Sequence, residues 1–327
     1  MSVLYSLIDT LLPFEWTEFA YMKNAFLAVL LITPLFGLVG TMVVNNKMSF
    51  FSDALGHSAL TGIAIGVLLG VDNYLLSMLG FALLFALCIS AVMSSGTSSA
   101  DTIIGVFSST GLALGVVLLS ATGGFAKYSS YLIGDILTVQ PSEIGLLAIV
   151  LAAVVIVWIL FFNRFLLTSV NTDLAASKNI HTRLMEKLFV VIVAVIVTIT
   201  IKWVGILIIN SLLVLPAASA RNLARSMRSY HFWAIGISLF SGVSGLIVSY
   251  YLGTAAGGTI VLIAAAIFFV TLPVTSHDSY TLPSIDISMP SVSQTSFDQQ
   301  RFGTSRSCIP LASETSVAYS PVRINLR

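Results

Sequence analysis

MSFFSDALGHSALTGIAIG, residues 48–66, sets the reading of the whole chain. It puts an acid, Asp53, and a histidine, His57, at the mouth of an apolar helix. Four residues apart on a helix, two side chains share a face with their Cβ atoms about 5–6 Å apart. A carboxylate oxygen and an imidazole nitrogen that close can grip one divalent cation. Behind them Ser58, Gly62, Gly66 and Gly70 recur every fourth residue, a small-residue groove against which another helix can press in lipid. A charged group at the bilayer centre costs roughly 3 kcal/mol on insertion scales, so its presence asks for a reason. One reason is local: an acid in the first turn is favoured by the helix dipole and by its partner four residues on. The other is functional. Two donors do not close a metal site, but a transport site must also release its ion.

Composition decides the class. The chain has 327 residues, 57% hydrophobic and only 9% charged, with a mean hydropathy of +0.99. The expected fold is therefore all-α, a polytopic transmembrane bundle of eight or nine spans, each needing about 20 residues. Spans are expected at 24–44, 55–70, 74–93, 101–121, 142–162, 187–201, 204–220, 232–252 and 257–273. Residues 125–139 hold Lys127 and Asp135 and are too short and polar for a crossing; they read as a half-helix packed inside protein. Residues 1–23 form an amphipathic N-terminal segment whose aromatics suit the membrane interface, without the basic n-region of a signal peptide. Residues 24–273 make the transmembrane domain, and the Ser-, Thr- and Pro-rich stretch 274–327 reads as a disordered cytoplasmic tail. Cys88 and Cys308 stand apart, with no pattern for a disulfide or a thiolate site. A net charge of +1 without a basic stripe gives no ground for nucleic-acid binding.

Basic residues orient the bundle. Lys47, the group Arg164, Lys178, Arg183 and Lys187, and the group Arg221, Arg225 and Arg228 all fall in loops on one side, which the positive-inside rule makes cytoplasmic. Links at 71–73, 139–141, 202–203 and 253–256 fall outside, with Lys202 as an exception. Asp53 and His57 then lie near the cytoplasmic end of their helix, which suits a role at the ion's exit.

Other segments carry weaker signals. In the loop 163–186, Asn171 can cap a short amphipathic helix running through Asp173, Leu174 and Ala175 towards Asn179. That helix is either a plain connector or a device that docks on a cytosolic motor. Asn210, in a span with Pro216, and Asp135 are polar groups at membrane depth and thus pathway candidates; interhelical hydrogen bonding is the simpler role for Asn210. The patterns HExxH, GxSxG and GxxxxGKS/T are absent, so the chain reads as a transport subunit and not an enzyme, and any ATP hydrolysis belongs to a partner.

Five blocks, in order, carry a resemblance: SFFSDALGHSALTGIAIG (49–66), ADTIIGVFSSTGLALGVVLLS (100–120), YLIGDILTV (131–139), WVGILIINSLLVLPAASARNLA (203–224) and SGLIVSYYLGTAAGGTIVL (244–262). Together they resemble the membrane permeases of the ABC-3 family, the manganese, zinc and iron importers of the ATP-binding cassette class. The resemblance implies a dimeric permease in the bacterial inner membrane. It also implies a cytosolic ABC ATPase, an extracellular or periplasmic metal-binding protein, a second permease subunit, surrounding lipid and no permanently bound cofactor. Asp53 and His57 match the family's acid and histidine, and residues 171–180 match its cytoplasmic loop of the form D-x-x-x-A-x-x-x-G. Here Asn171 stands for Asp and Asn179 for Gly. The alternative is an ion-gradient-driven secondary metal transporter, which would need several buried acids to carry protons.

Overall fold

The computed structural model describes residues 5, 15–71, 73–96, 98–123, 125–128, 130–170, 175, 177–178 and 180–278. Among the described residues nine long helices follow in order: α1 Ala20–Asn45, α2 Phe51–Leu68, α3 Tyr74–Met93, α4 Ala100–Ala121, α5 Pro141–Val170, α6 Thr182–Val204, α7 Ile206–Leu223, α8 Met227–Leu252 and α9 Ala256–Asp278. Eight of them, all but α7, are long and apolar enough to cross a membrane by length and composition. At the starts of α3, α4 and α8 a backbone donor is met by a short polar side chain. Asn73 accepts from the Leu75 N–H, Ser99 from Thr102 and Ser226 from Ser229.

The helices run longer than hydropathy suggests. α2 begins at Phe51 and not at 55, α5 continues past Arg164 to Val170, and α9 carries through Pro273 to Asp278. Of the proposed tail, residues 279–327 lie outside the described residues, as do 1–4 and 6–14 of the N-terminal segment. Trp16, in a 3₁₀ turn over Glu15–Glu18, is buried ahead of α1.

α2 is the centre of the arrangement, packed against α3, α4, α6 and α7. α1, α2 and α6 are largely buried, whereas α3, α4, α5 and α9 turn most of their surface outward. The outward side chains include Leu84, Val117, Ile159, Leu160, Leu262 and Phe269, a dressing suited to hydrocarbon. Small residues set the inner spacing. A Cβ built on Gly40 of α1 would lie 2.0 Å from the Leu213 carbonyl oxygen of α7. One built on Gly62 would meet the Met78 Cα at 2.7 Å, and one on Gly115 the Thr61 nitrogen at 2.9 Å. The stripe Ser58/Gly62/Gly66/Gly70 thus works as a packing groove at Gly62 and Gly66, while Gly70 only ends the helix.

Between α4 and α5 the chain makes three short turns, Phe125–Tyr128, Ser130–Ile133 and the 3₁₀ turn Ile136–Thr138. They are anchored by Gly134, at φ +69°, pressed on Gly205, at φ +86°, where α6 passes into α7. Any Cβ on Gly205 would fall 2.1 Å from the Ile133 carbonyl oxygen, so only glycine allows both the left-handed backbone and this contact.

Candidate functional site

Asp53 and His57 occupy the first two turns of α2 on one face, as their spacing requires. The His57 Nε2 lies 3.4 Å from the Asp53 Oδ2, with the histidine side chain 13% and the aspartate 31% exposed. An ion about 2.1 Å from each of two donors so separated would see them at roughly 110°, close to a tetrahedral angle. α2 has no side-chain cap, and Asp53 spends its acceptor capacity sideways, where the Ser108 hydroxyl of α4 donates to Oδ2 at 3.2 Å. Ser108 sits near the middle of Ala100–Ala121. The pair is therefore level with the middle of α4, deeper in the bundle than its place at the start of α2 suggests.

The neighbours of the pair are held as firmly as the pair itself. Ser52, fully buried, donates its hydroxyl to the Asn210 Oδ1 of α7 at 2.7 Å. A Cβ on Gly56 would lie 3.0 Å from the Ile206 Cγ2, so the start of α7 packs directly on the helix between Asp53 and His57. Ile206 follows Gly205, and the glycine contact with the 130–138 segment thereby fixes the platform on which α2 rests. His57 Nδ1 is buried without a hydrogen-bond partner. A metal-bound imidazole normally gives that second nitrogen a partner, so on its Nδ1 side the ring here is held by packing alone, and Asp53 faces the other nitrogen. Among the described residues no group of three or more His, Cys, Asp and Glu side chains could hold a metal ion. Among the described residues this part of α2 brings together two strong donors, Asp53 and His57.

The other predicted residues that the structure describes do not join them. Asn210 is near, but its side-chain oxygen is engaged by Ser52. Asp135 is exposed and caps the 3₁₀ turn, accepting the Leu137 N–H at 3.0 Å. Asn171, Asp173, Leu174 and Asn179 lie outside the described residues; Ala175 is helical and fully buried, and its carbonyl accepts the Ile180 N–H at 3.1 Å. Lys202, the one basic residue of the 202–203 link, is ion-paired with Glu143, which also accepts the Trp203 Nε1–H at 3.1 Å. That acid neutralises the exception to the charge rule.

Two cavities of about 400 Å³ open at opposite ends of the bundle. One lies between the ends of α1, α3 and α5 and the start of α6, beside Lys47 and Glu186; the other lies beside Glu143 and Lys202. Neither is lined by Asp53 or His57. Sequence reasoning missed Ser108, a residue inside a span with no charge to draw attention; its only signal is that it shares a helix face with Gly111 and Gly115.

Comparison with known proteins agrees with this architecture. The chain is 33% identical over 255 residues to the high-affinity zinc uptake system membrane protein ZnuB of Haemophilus influenzae, covering 78% of this chain and 97% of that protein. It is 29% identical over 263 residues to the manganese import system permease protein ScaB of Streptococcus gordonii, covering 80% and 94%. Among solved structures, PsaBC from Streptococcus pneumoniae in complex with Fab superposes with a TM-score of 0.72 at 27% identity, over 86% of this chain and 100% of that one. The profile of the ABC 3 transport family matches residues 18–275, with every long helix at least in part within its bounds, and the chain belongs to that family.

Proposed function

We propose that the chain is the membrane-spanning permease subunit of an ATP-binding cassette importer that carries a divalent transition metal, zinc or manganese, into the cytoplasm. The observation that carries this is the Asp53–His57 pair, two donors 3.4 Å apart on a central helix of a chain that matches zinc and manganese permeases over nearly their whole length. The reading is of a transport subunit in a bacterial inner membrane, with energy supplied by a cytosolic ATPase and the ion delivered by an extracellular or periplasmic metal-binding protein. Two donors are too few to hold an ion tightly. A second permease subunit, a copy of this chain or a paralogue, supplies the rest of the shell, and release follows when the two halves part. Iron, with the same taste for imidazole and carboxylate, rests on family resemblance alone.

Asn210 acts here as a strut for Ser52 and hence for Asp53, and residues 171–180 form the surface that seats the ATPase. Gradient-driven transport finds little support. Among the described residues, the other carboxylates of the long helices are Asp101, Glu143, Glu186 and Asp278, all near helix ends.

The test is metal accumulation by cells carrying the full transporter with Asp53→Ala and His57→Ala combined. Uptake of zinc or manganese is expected to fall to background while the amount of permease in the membrane stays the same. Undiminished uptake by the double variant would remove the site from the mechanism.

A further inference from the structure

Helix hydroxyls have a default partner, the carbonyl three or four residues back on their own helix. Many hydroxyls of this bundle follow the habit: Ser58 donates to the Leu55 oxygen, Thr110 to Val106, Thr200 to Ile196 and Ser219 to Leu215. Others cross to a neighbouring helix, as those of Ser52, Thr61, Ser77 and Ser238 do, and Ser108 is one of these. Its hydroxyl crosses from α4 to α2 and ends 3.2 Å from the Asp53 Oδ2, the same oxygen that faces the His57 Nε2.

The crossing is built into the helix contact. Ser108, Gly111 and Gly115 share one face of α4, spaced by three and four residues. The two glycines let the backbones close, and the Thr61 hydroxyl donates to the Gly111 carbonyl at 2.6 Å, fixing the register. Ser108 is thus aimed at the ligand pair by a contact that does not involve it. Two donors 3.2 Å apart, each about 2.1 Å from a shared ion, subtend roughly 100° there, an angle that both tetrahedral and octahedral shells accommodate.

We propose that the Ser108 Oγ is a third ligand of the transported cation and biases the site towards the harder ion. This rests on the reading of Asp53 and His57 as the other two. A neutral hydroxyl is a familiar ligand of hard divalent ions, as where a phosphate-loop Ser or Thr meets magnesium. Manganese prefers oxygen donors and more of them, whereas zinc is content with imidazole and four ligands. An added oxygen therefore benefits manganese more than zinc. With the metal absent, the same hydroxyl hydrogen-bonds the carboxylate and holds it at the edge of the site.

The experiment measures uptake of radioactive zinc or manganese, whichever the intact transporter carries, with the other ion as competitor. It compares Ser108→Ala, Ser108→Thr and the unaltered protein at equal membrane levels. Removal of one ligand is expected to weaken manganese relative to zinc by about tenfold in Ser108→Ala, the lower end of what lost metal-site partners cause. Ser108→Thr, which keeps the oxygen, should retain the original preference. If Ser108→Ala leaves the ratio unchanged, whether or not total uptake falls, the hydroxyl is only a partner of the carboxylate and the proposal is overturned. The double variant Asp53→Ala/His57→Ala, measured alongside, separates the two ideas. Its failure to lose uptake sinks the whole site; its loss beside an unchanged ratio in Ser108→Ala sinks the third ligand alone.

Discussion

At the scale of single residues, the site depends on how buried polar groups are satisfied. Asp53 is tolerable because a histidine and a serine face it, and Ser52 because Asn210 does. Truncating Asn210 strands a fully buried hydroxyl, a loss worth about 1 kcal/mol in soluble proteins and roughly 0.6 kcal/mol on average between membrane helices. Asn210→Ala is therefore expected to lower the unfolding free energy in detergent by about that amount. In a double-mutant cycle with Ser52→Ala, most of the loss should vanish, since the two act through one bond. A coupling energy of zero would mean that the bond contributes nothing and that Asn210 is free to serve the pathway. The pair Asp53 and His57 was legible because four-residue spacing is a property of the helix itself. Ser108 was not, because it lies 55 residues away and its role exists only once α4 has docked on α2. Asp135 illustrates a different limit. The sequence showed an acid among apolar residues but not its local role, a carboxylate capping the N–H two residues on.

At the scale of elements, hydropathy located every long helix but misplaced the ends. Its signal fades wherever a helix passes a polar residue, as α2 does at Ser52 and Asp53 and α5 at Arg164, though the backbone bonds continue. Proline gave one similar false stop, at Pro273, which sits inside α9 much as Pro34 sits inside α1 and Pro216 inside α7. The half-helix reading of 125–139 captured its broken character but not its anchor, because a backbone-to-backbone contact between two glycines leaves no side-chain pattern to read. That anchor predicts an asymmetry among glycine substitutions. Gly205→Ala must bear both a positive φ and a methyl 2.1 Å from a carbonyl oxygen, and should cost more than about 3 kcal/mol, enough to lose the folded protein from the membrane. Gly145, inside α5 with nothing within 4 Å of a built Cβ, should gain about 0.5–1 kcal/mol on change to Ala. Thermal unfolding of the purified permease distinguishes them, and equal effects at the two positions would refute the anchor.

At the scale of the whole molecule, the side each end faces follows from charge. Eight basic residues, Lys47, Arg164, Lys178, Arg183, Lys187, Arg221, Arg225 and Arg228, belong to one end of the bundle; three, Lys23, Lys127 and Lys202, belong to the other. Lys202 is already paired with Glu143, which sharpens the imbalance. The positive-inside rule then puts Lys47 and its adjoining cavity on the cytoplasmic side, and the α8–α9 link outside. Thr254, exposed in that link, and Arg225, exposed in the α7–α8 link, should face opposite compartments, because α8 lies between them. With Cys88 and Cys308 changed to Ala, a membrane-impermeant maleimide applied to intact cells should label a cysteine placed at Thr254 and leave one placed at Arg225 untouched until the membrane is opened. The reverse pattern would invert the molecule and make the proposed importer untenable. Labelling of both in intact cells would instead remove α8 from the set of crossings. The geometry of Asp53, His57 and Ser108 is indifferent to that outcome; the direction of transport is not.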